Sequence, residues 1–215
     1  MKIACVGYRE WALKIYDEIA KRSSHAVLIF RTKDQYDEEV IKDFNPDLIL
    51  YYGWSWIIKD EIIRTFKCVM LHPSPLPLYR GGSPIQNQII NGEDKSAVTL
   101  FLMDEGLDTG DIIDQEEISL TGHIGEIFDR ITGVGIKLTL KMINEGYVLR
   151  KQESRNATIF KRRTPADSEI TIEEIQTKTA KYIFNKIRML GDPYPNAYLK
   201  TADGKKILIK SAEIE

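Results

Sequence analysis

The 215 residues predict a doubly wound α/β fold: a Rossmann-like, mostly parallel sheet followed by a small C-terminal helix plus β-hairpin subdomain. Short apolar runs alternate with segments of helical period. The runs are continuously apolar, unlike the alternating strands of a sheet with one wet face, and turn residues close them. Lys2–Val6 is the first strand, ended by Gly7, and Ala12, Ile15, Tyr16 and Ile19 then fall on one helix face. Residues 26–30 form the second strand, 34–44 a charged helix, 47–52 the third strand closed by Gly53, 56–66 a helix and 67–71 the fourth strand. Ligands of such sheets bind beyond the carboxyl ends of the strands. Gly7–Arg9, Gly53–Trp56 and the chain from His72 onward are therefore expected along one edge.

The second half reads differently. Residues 83–91 predict a short helix, 97–103 and 111–118 two strands, and 122–145 a long helix with Ile124, Ile127, Phe128, Ile131, Val134, Leu138 and Ile143 facing the core. Gly133 and Gly135 weaken that helix and Gly146 stops it. The polar, basic stretch 149–168 reads as a surface connector. Thr171 with Glu174 makes a capping box for one further helix, with Ile175, Ile183 and Ile187 buried and Gly191-Asp192-Pro193 ending it. Asp203-Gly204 between two strand-like runs signals a hairpin. The expected divisions are 1–150, a connector 151–168, and a C-terminal unit 169–215.

Hydrophobic residues make up 43% of the chain, enough for a large core. Lys and Arg number 30 against 32 Asp and Glu, for a net charge of −2. That balance argues against an extended nucleic-acid-binding face. Cys5 and Cys68 sit in apolar runs without ligand-spaced partners, so they read as buried thiols, not a disulfide or a zinc site. No signal-peptide pattern and no bilayer-length apolar run appears, which points to a soluble cytoplasmic protein.

Two segments carry candidate chemistry. His72 precedes Pro73, Pro75 and Pro77, so a stiff loop presents an imidazole at a strand's carboxyl end. His25 and His123 lack such a setting. The stretch from Met103 to Asp111 places acidic residues among glycines; as a cation loop it lacks calcium-ligand spacing, whereas a carboxylate brought to His72 would make an acid/base pair. No second His or Cys accompanies His72, which weakens a metal-dependent hydrolase reading.

The motifs His72-Pro-Ser-Pro-Leu-Pro-Leu-Tyr-Arg-Gly, Pro84-Ile-Gln, Ile90-Asn-Gly and Met103-Asp-Glu-Gly-Leu-Asp-Thr-Gly-Asp together resemble the folate-dependent formyltransferases. The similarity runs from Met1–Ala12 through Arg162–Ser168 to Pro193–Tyr198. It implies the formyltransferase fold and formyl transfer from N10-formyltetrahydrofolate to an amine, with no metal. The family uses an Asn, a His and an Asp. By motif the latter two are His72 and Asp108, and Met70 stands at the position of the Asn. A thioether donates no hydrogen bond, so one oxyanion donor is missing. That leaves compensation by another donor, slow catalysis, or a catalytically impaired folate- or nucleotide-sugar-binding relative. The resemblance implies folate contacts by Trp54, Trp56, Ile58, Met103, Leu107 and Asp108, and acceptor contacts by Ser74, Tyr79 and Gln86.

Three acceptor classes occur in the family. Glycinamide-ribonucleotide enzymes are not expected to continue into the Arg162–Ser168 and Pro193–Tyr198 motifs. Methionyl-tRNA enzymes carry a further basic barrel, for which no residues remain after Glu215. A short helix and hairpin is similar to the nucleotide-sugar N-formyltransferases, which serve glycan precursor synthesis, and a nucleotide-linked amino sugar is the expected acceptor. Lys161-Arg162-Arg163 reads as a solvated connector, with approach to a nucleotide diphosphate as the alternative. The hairpin's Ile207, Leu208 and Ile209 suggest a homodimer.

Overall fold

The computed structural model of the protein describes residues 1–192 and 194–215; Pro193, read above as part of a helix stop and a family motif, lies outside them. Strand β1 (Lys2–Val6) leads into α1 (Glu10–Arg22), β2 (Ala26–Phe30), α2 (Glu38–Phe44), β3 (Leu48–Tyr52), α3 (Asp60–Thr65) and β4 (Cys68–His72). A two-residue strand β5 (Arg80–Gly81) and α4 (Pro84–Ile90) precede the long β6 (Lys95–Leu102) and β7 (Ile112–Ser119). Helix α5 (Ile124–Glu145), β8 (Ile159–Phe160), α6 (Ile172–Thr177), α7 (Ala180–Arg188), β9 (Ala197–Lys200) and β10 (Lys206–Ile209) complete the order.

The main sheet runs β2-β1-β3-β4-β6-β7. Its first four strands are parallel, and β6 and β7 are added antiparallel. The expected mostly parallel, doubly wound sheet is what forms. Both faces are buried because successive residues of a strand point to opposite sides. Ile3 and Cys5 face α1 and α5, joining Ile15, Ile19, Ile127, Ile131 and Leu138, while Ala4 and Val6 face α2 and α3, joining Ile41 and Ile62. The chain reverses its winding between β1 and β3. There the buried Tyr16 hydroxyl accepts from the Tyr52 N–H at 2.7 Å and lies 2.9 Å from the carbonyl oxygens of Val6 and Leu50. Cys5 and Cys68 are buried and free, and burial pushes the Cys68 thiol up to about 12.

Several local expectations are corrected. Helix α2 starts at Glu38, not residue 34, because the Asp37 side chain caps the N–H groups of Glu39 and Val40. Helix α3 starts at Asp60, not 56, because Gly53 at φ 62° turns the chain out of β3 into an irregular aromatic segment. The single C-terminal helix is two. Thr171 caps α6 and Thr179 caps α7, and the backbone between them is extended at Lys178. Ile175 is therefore 50% exposed, whereas Ile187 enters the main core with Met189, Leu190 and Ala197. Helix α7 packs on α4, with Asn185 donating to the Ile89 carbonyl at 2.7 Å. Ile207 and Leu208 of the hairpin are half-exposed.

Gly133 and Gly135 do not interrupt α5. Gly135 is buried, and a Cβ there would lie 2.5 Å from Ile15 Cδ1 and 2.9 Å from Leu71 Cδ1; the position lets α5 approach α1 and the sheet. At Gly133 the same atom meets open space. Gly133→Ala is expected to stabilise by up to ~1 kcal/mol through helix propensity, and Gly135→Val to destabilise by about 1–3 kcal/mol through overpacking. Urea denaturation of the two variants checks the contrast; equal stabilities would contradict this packing.

Candidate active site

A cleft of about 890 Å³ opens along the carboxyl ends of β1, β3 and β4, lined by Arg9, Gly53–Trp56 and His72 as the topology required. His72 closes β4 and is 5% exposed. Its loop is fixed from several sides. The Ser74 hydroxyl donates to the Leu78 carbonyl at 2.8 Å, Thr99 Oγ1 donates to the Ser74 carbonyl at 2.6 Å, and Gln88 Nε2 donates to the Pro73 carbonyl at 3.0 Å. Tyr79 takes a left-handed backbone, φ 57°, held by its N–H bond to Thr158 Oγ1 at 2.8 Å and by stacking on Phe160. Its carbonyl oxygen then sits 2.8 Å from His72 Nε2. A carbonyl only accepts, so Nε2 carries a hydrogen and donates.

That assignment leaves Nδ1 to face Asp108, whose Oδ2 lies 3.5 Å away. Asp108 is 8% exposed and itself left-handed, φ 54°. Short acidic side chains tolerate that region better than most. The same Oδ2 accepts from the Gly81 N–H at 2.8 Å. Neutral His72 presents a lone pair at Nδ1; protonated, it presents Nδ1–H toward Asp108 and the cleft. The pair can thus share a proton between Nδ1 and Oδ2 at the cleft.

Met70 shares a strand face with His72 and also lines the cleft. Its side chain packs against Leu76, Phe101 and Ile112, as does that of Met103. Ile58 and Leu107 continue this apolar lining, Leu107 being 58% exposed at the lip. Trp54 and Trp56 form the adjoining wall, with ring centroids 4.6 Å apart, and Tyr8 packs against Trp56 at 4.9 Å while its hydroxyl lies 2.7 Å from Ser55 Oγ. All six residues expected at the folate therefore border one cleft with His72.

Of the three expected acceptor residues only Gln86 lines it. Gln86 is 3% exposed, and its Nε2 has no partner among the described residues. Ser74 and Tyr79 do not line the cleft. Ser74 is fully buried and spends its hydroxyl on the loop, and Tyr79 turns its ring onto Phe160 and its hydroxyl onto Glu93 at 3.0 Å.

The stretch read as a surface connector also borders the cleft. Residues 159–160 pair as β8 with β5, and Gly82 lies against the Arg162 backbone, so Lys161, Arg162 and Arg163 line the cleft; Arg9 lines it too, its guanidinium 4.8 Å from the Tyr8 ring beside the tryptophan wall. Lys161 and Arg162 remain solvent-exposed there, and their place beside the cleft has no sequence signal because a two-residue ladder leaves no periodic pattern. Acids of the lining are engaged: Asp104 Oδ1 accepts from Gly106 N–H and Thr109 Oγ1, and Glu105 pairs with Arg64.

Comparison with known proteins shows the family. Residues 1–138 match the formyl transferase family, and the chain belongs to it. A methionyl-tRNA formyltransferase of Clostridioides difficile is 36% identical over 78% of this chain and 55% of that protein; the chain spans little more than half the length of such curated relatives. A solved methionyl-tRNA formyltransferase from Clostridium thermocellum superposes with a TM-score of 0.86 at 34% identity, over 97% of each chain. A 4-N formyltransferase from Francisella tularensis, 21% identical, shares the fold with a TM-score of 0.80 over 100% of this chain and 98% of that one.

The Tyr79 carbonyl makes a spectroscopic prediction. Long-range ¹⁵N–¹H correlation at high pH is expected to show neutral His72 as the Nε2–H tautomer, and a dominant Nδ1–H tautomer would contradict the geometry.

Proposed function

We propose that the protein transfers the formyl group of N10-formyltetrahydrofolate to a primary amine on a phosphate-bearing acceptor, a nucleotide-linked amino sugar. The observation that carries this reading is the buried His72–Asp108 pair in a cleft that apolar and aromatic side chains and the cations Arg9 and Lys161–Arg163 line together. The apolar lining fits a flat pteridine: Ile58, Met70, Phe101 and Met103 offer ring contact beside the Trp54–Trp56 wall. The folate supplies the activated formyl carbon. Arg9, Lys161, Arg162 and Arg163 fit the phosphates of the acceptor, and the free carboxamide of Gln86 fits a hydroxyl or carbonyl of it.

His72 then donates from Nδ1 to the formyl oxygen as the amine nitrogen attacks and negative charge develops there. Asp108, 3.5 Å from Nδ1, receives the proton leaving the attacking nitrogen and passes it to N10, whose bond to the formyl carbon breaks. Met70 adds no donor, which leaves a deficit of roughly two to three orders of magnitude unless another group compensates.

A second acceptor, methionyl-tRNA, is favoured by a specific observation: relatives and a solved chain at 34–36% identity bear that enzyme's name, while the Francisella structure is 21% identical. The net charge of −2 supports the smaller acceptor.

Mass spectrometry of UDP-, dTDP- and GDP-linked amino sugars and methionyl-tRNA, each incubated with the protein and N10-formyltetrahydrofolate, tests the proposal. One formyl group is expected on a nucleotide sugar, with at least ~100-fold less product for His72→Ala or Asp108→Asn. Formylation of methionyl-tRNA alone would replace the acceptor, and folate binding without any product would make the chain a binding protein. Gln86→Leu is expected to raise the acceptor KM about tenfold and to leave the folate KM unchanged; steady-state kinetics in each substrate checks this.

A further inference from the structure

We propose that Gln152 is the positioning residue for Asp108, acting on the catalytic carboxylate through its backbone; the proposal rests on the formyl-transfer reading above. The geometry begins with an isolated antiparallel bridge. Ile112 and Arg150 exchange backbone hydrogen bonds at 2.8 and 2.9 Å, which sets Gln152 opposite Gly110. The Gln152 side chain reaches into the loop after β6, and its Nε2 donates to the carbonyl oxygens of Asp108 at 3.0 Å and Gly110 at 2.7 Å. Its Oε1 accepts from Arg80 Nε at 3.2 Å and from Nη2 at 2.7 Å. One carboxamide thus fills both of its donor positions and takes a forked guanidinium.

The connection closes on itself. Arg80 holds Gln152, the next residue Gly81 holds the Asp108 carboxylate through its N–H, and Gln152 holds the Asp108 carbonyl. Both ends of Asp108 are therefore tied to consecutive residues of β5. That matters because Asp108 sits at φ 54°, a backbone that relaxes unless its surroundings determine it. The other bonds of the loop, from Gly106 and Thr109 to Asp104, do not reach Asp108. Arg80 is 4% exposed and makes no ion pair among the described residues. A neutral amide between this buried cation and the loop leaves the Asp108 carboxylate free to face His72.

Gln152→Glu separates positioning from packing. It keeps the size of the side chain and strengthens the contact with Arg80, but it turns carboxylate oxygens toward two carbonyls. The expected result is a kcat at least tenfold lower, with both KM values within twofold of wild type and an unchanged melting temperature. In the same variant the ring signals of His72 shift, while those of His25 and His123, the other two histidines, stay in place. If Gln152→Glu does not fold, Gln152→Met, which removes the donors without adding charge, takes the same readouts. An unchanged kcat with unmoved His72 signals would overturn the proposal, as would a loss of activity that follows a lowered melting temperature with both KM values raised. The His72 signals report without any substrate, so absence of formyl transfer in the wild-type protein would overturn the reaction assignment and leave this test readable.

Discussion

The site depends on one carboxylate oxygen. Asp108 Oδ2 accepts the Gly81 N–H and faces His72 Nδ1, which joins three stretches of chain: the end of β4, the β5 strand and the loop between β6 and β7. None of these is ordered by its own sequence alone. Tyr79 and Asp108 both hold left-handed backbones, each costing of the order of 1–3 kcal/mol, and both are offset by bonds from the segment after α5. Thr158 receives the Tyr79 N–H, and Gln152 donates to the Asp108 carbonyl. The stretch after α5 is thereby part of the site's frame.

The fold itself was legible because its signals are local. Continuous apolar strands of five residues, helices with one apolar stripe, and the Asp203-Gly204 turn each state their own conformation. Boundaries were less legible where a cap or an exit from a strand decided them, as at Asp37 and Gly53. The break between α6 and α7 was hidden because Thr171 and Thr179 lie eight residues apart in a segment whose isoleucines keep helical spacing, and tertiary packing chose which of them to bury.

Within the site, His72 and Asp108 could be singled out because prolines and glycines frame them, and Met70 because a motif defines its position. The partners that hold them could not. Gln152 and Arg80 meet only through a bridge between residues 112 and 150, and the cations at 161–163 reach the cleft only through the pairing of β5 with β8. Ser74 and Tyr79 stand behind the cleft lining. A polar residue in a functional motif can serve the loop's own hydrogen bonds, and both do.

The most direct test of the formyl-transfer site is a crystal structure with tetrahydrofolate bound. The pteridine is expected between Trp54–Ile58 and Met103–Leu107, with N10 turned toward His72 Nδ1. A ring bound instead against Lys161–Arg163, with N10 away from His72, would contradict the assignment of the folate wall and of His72 together.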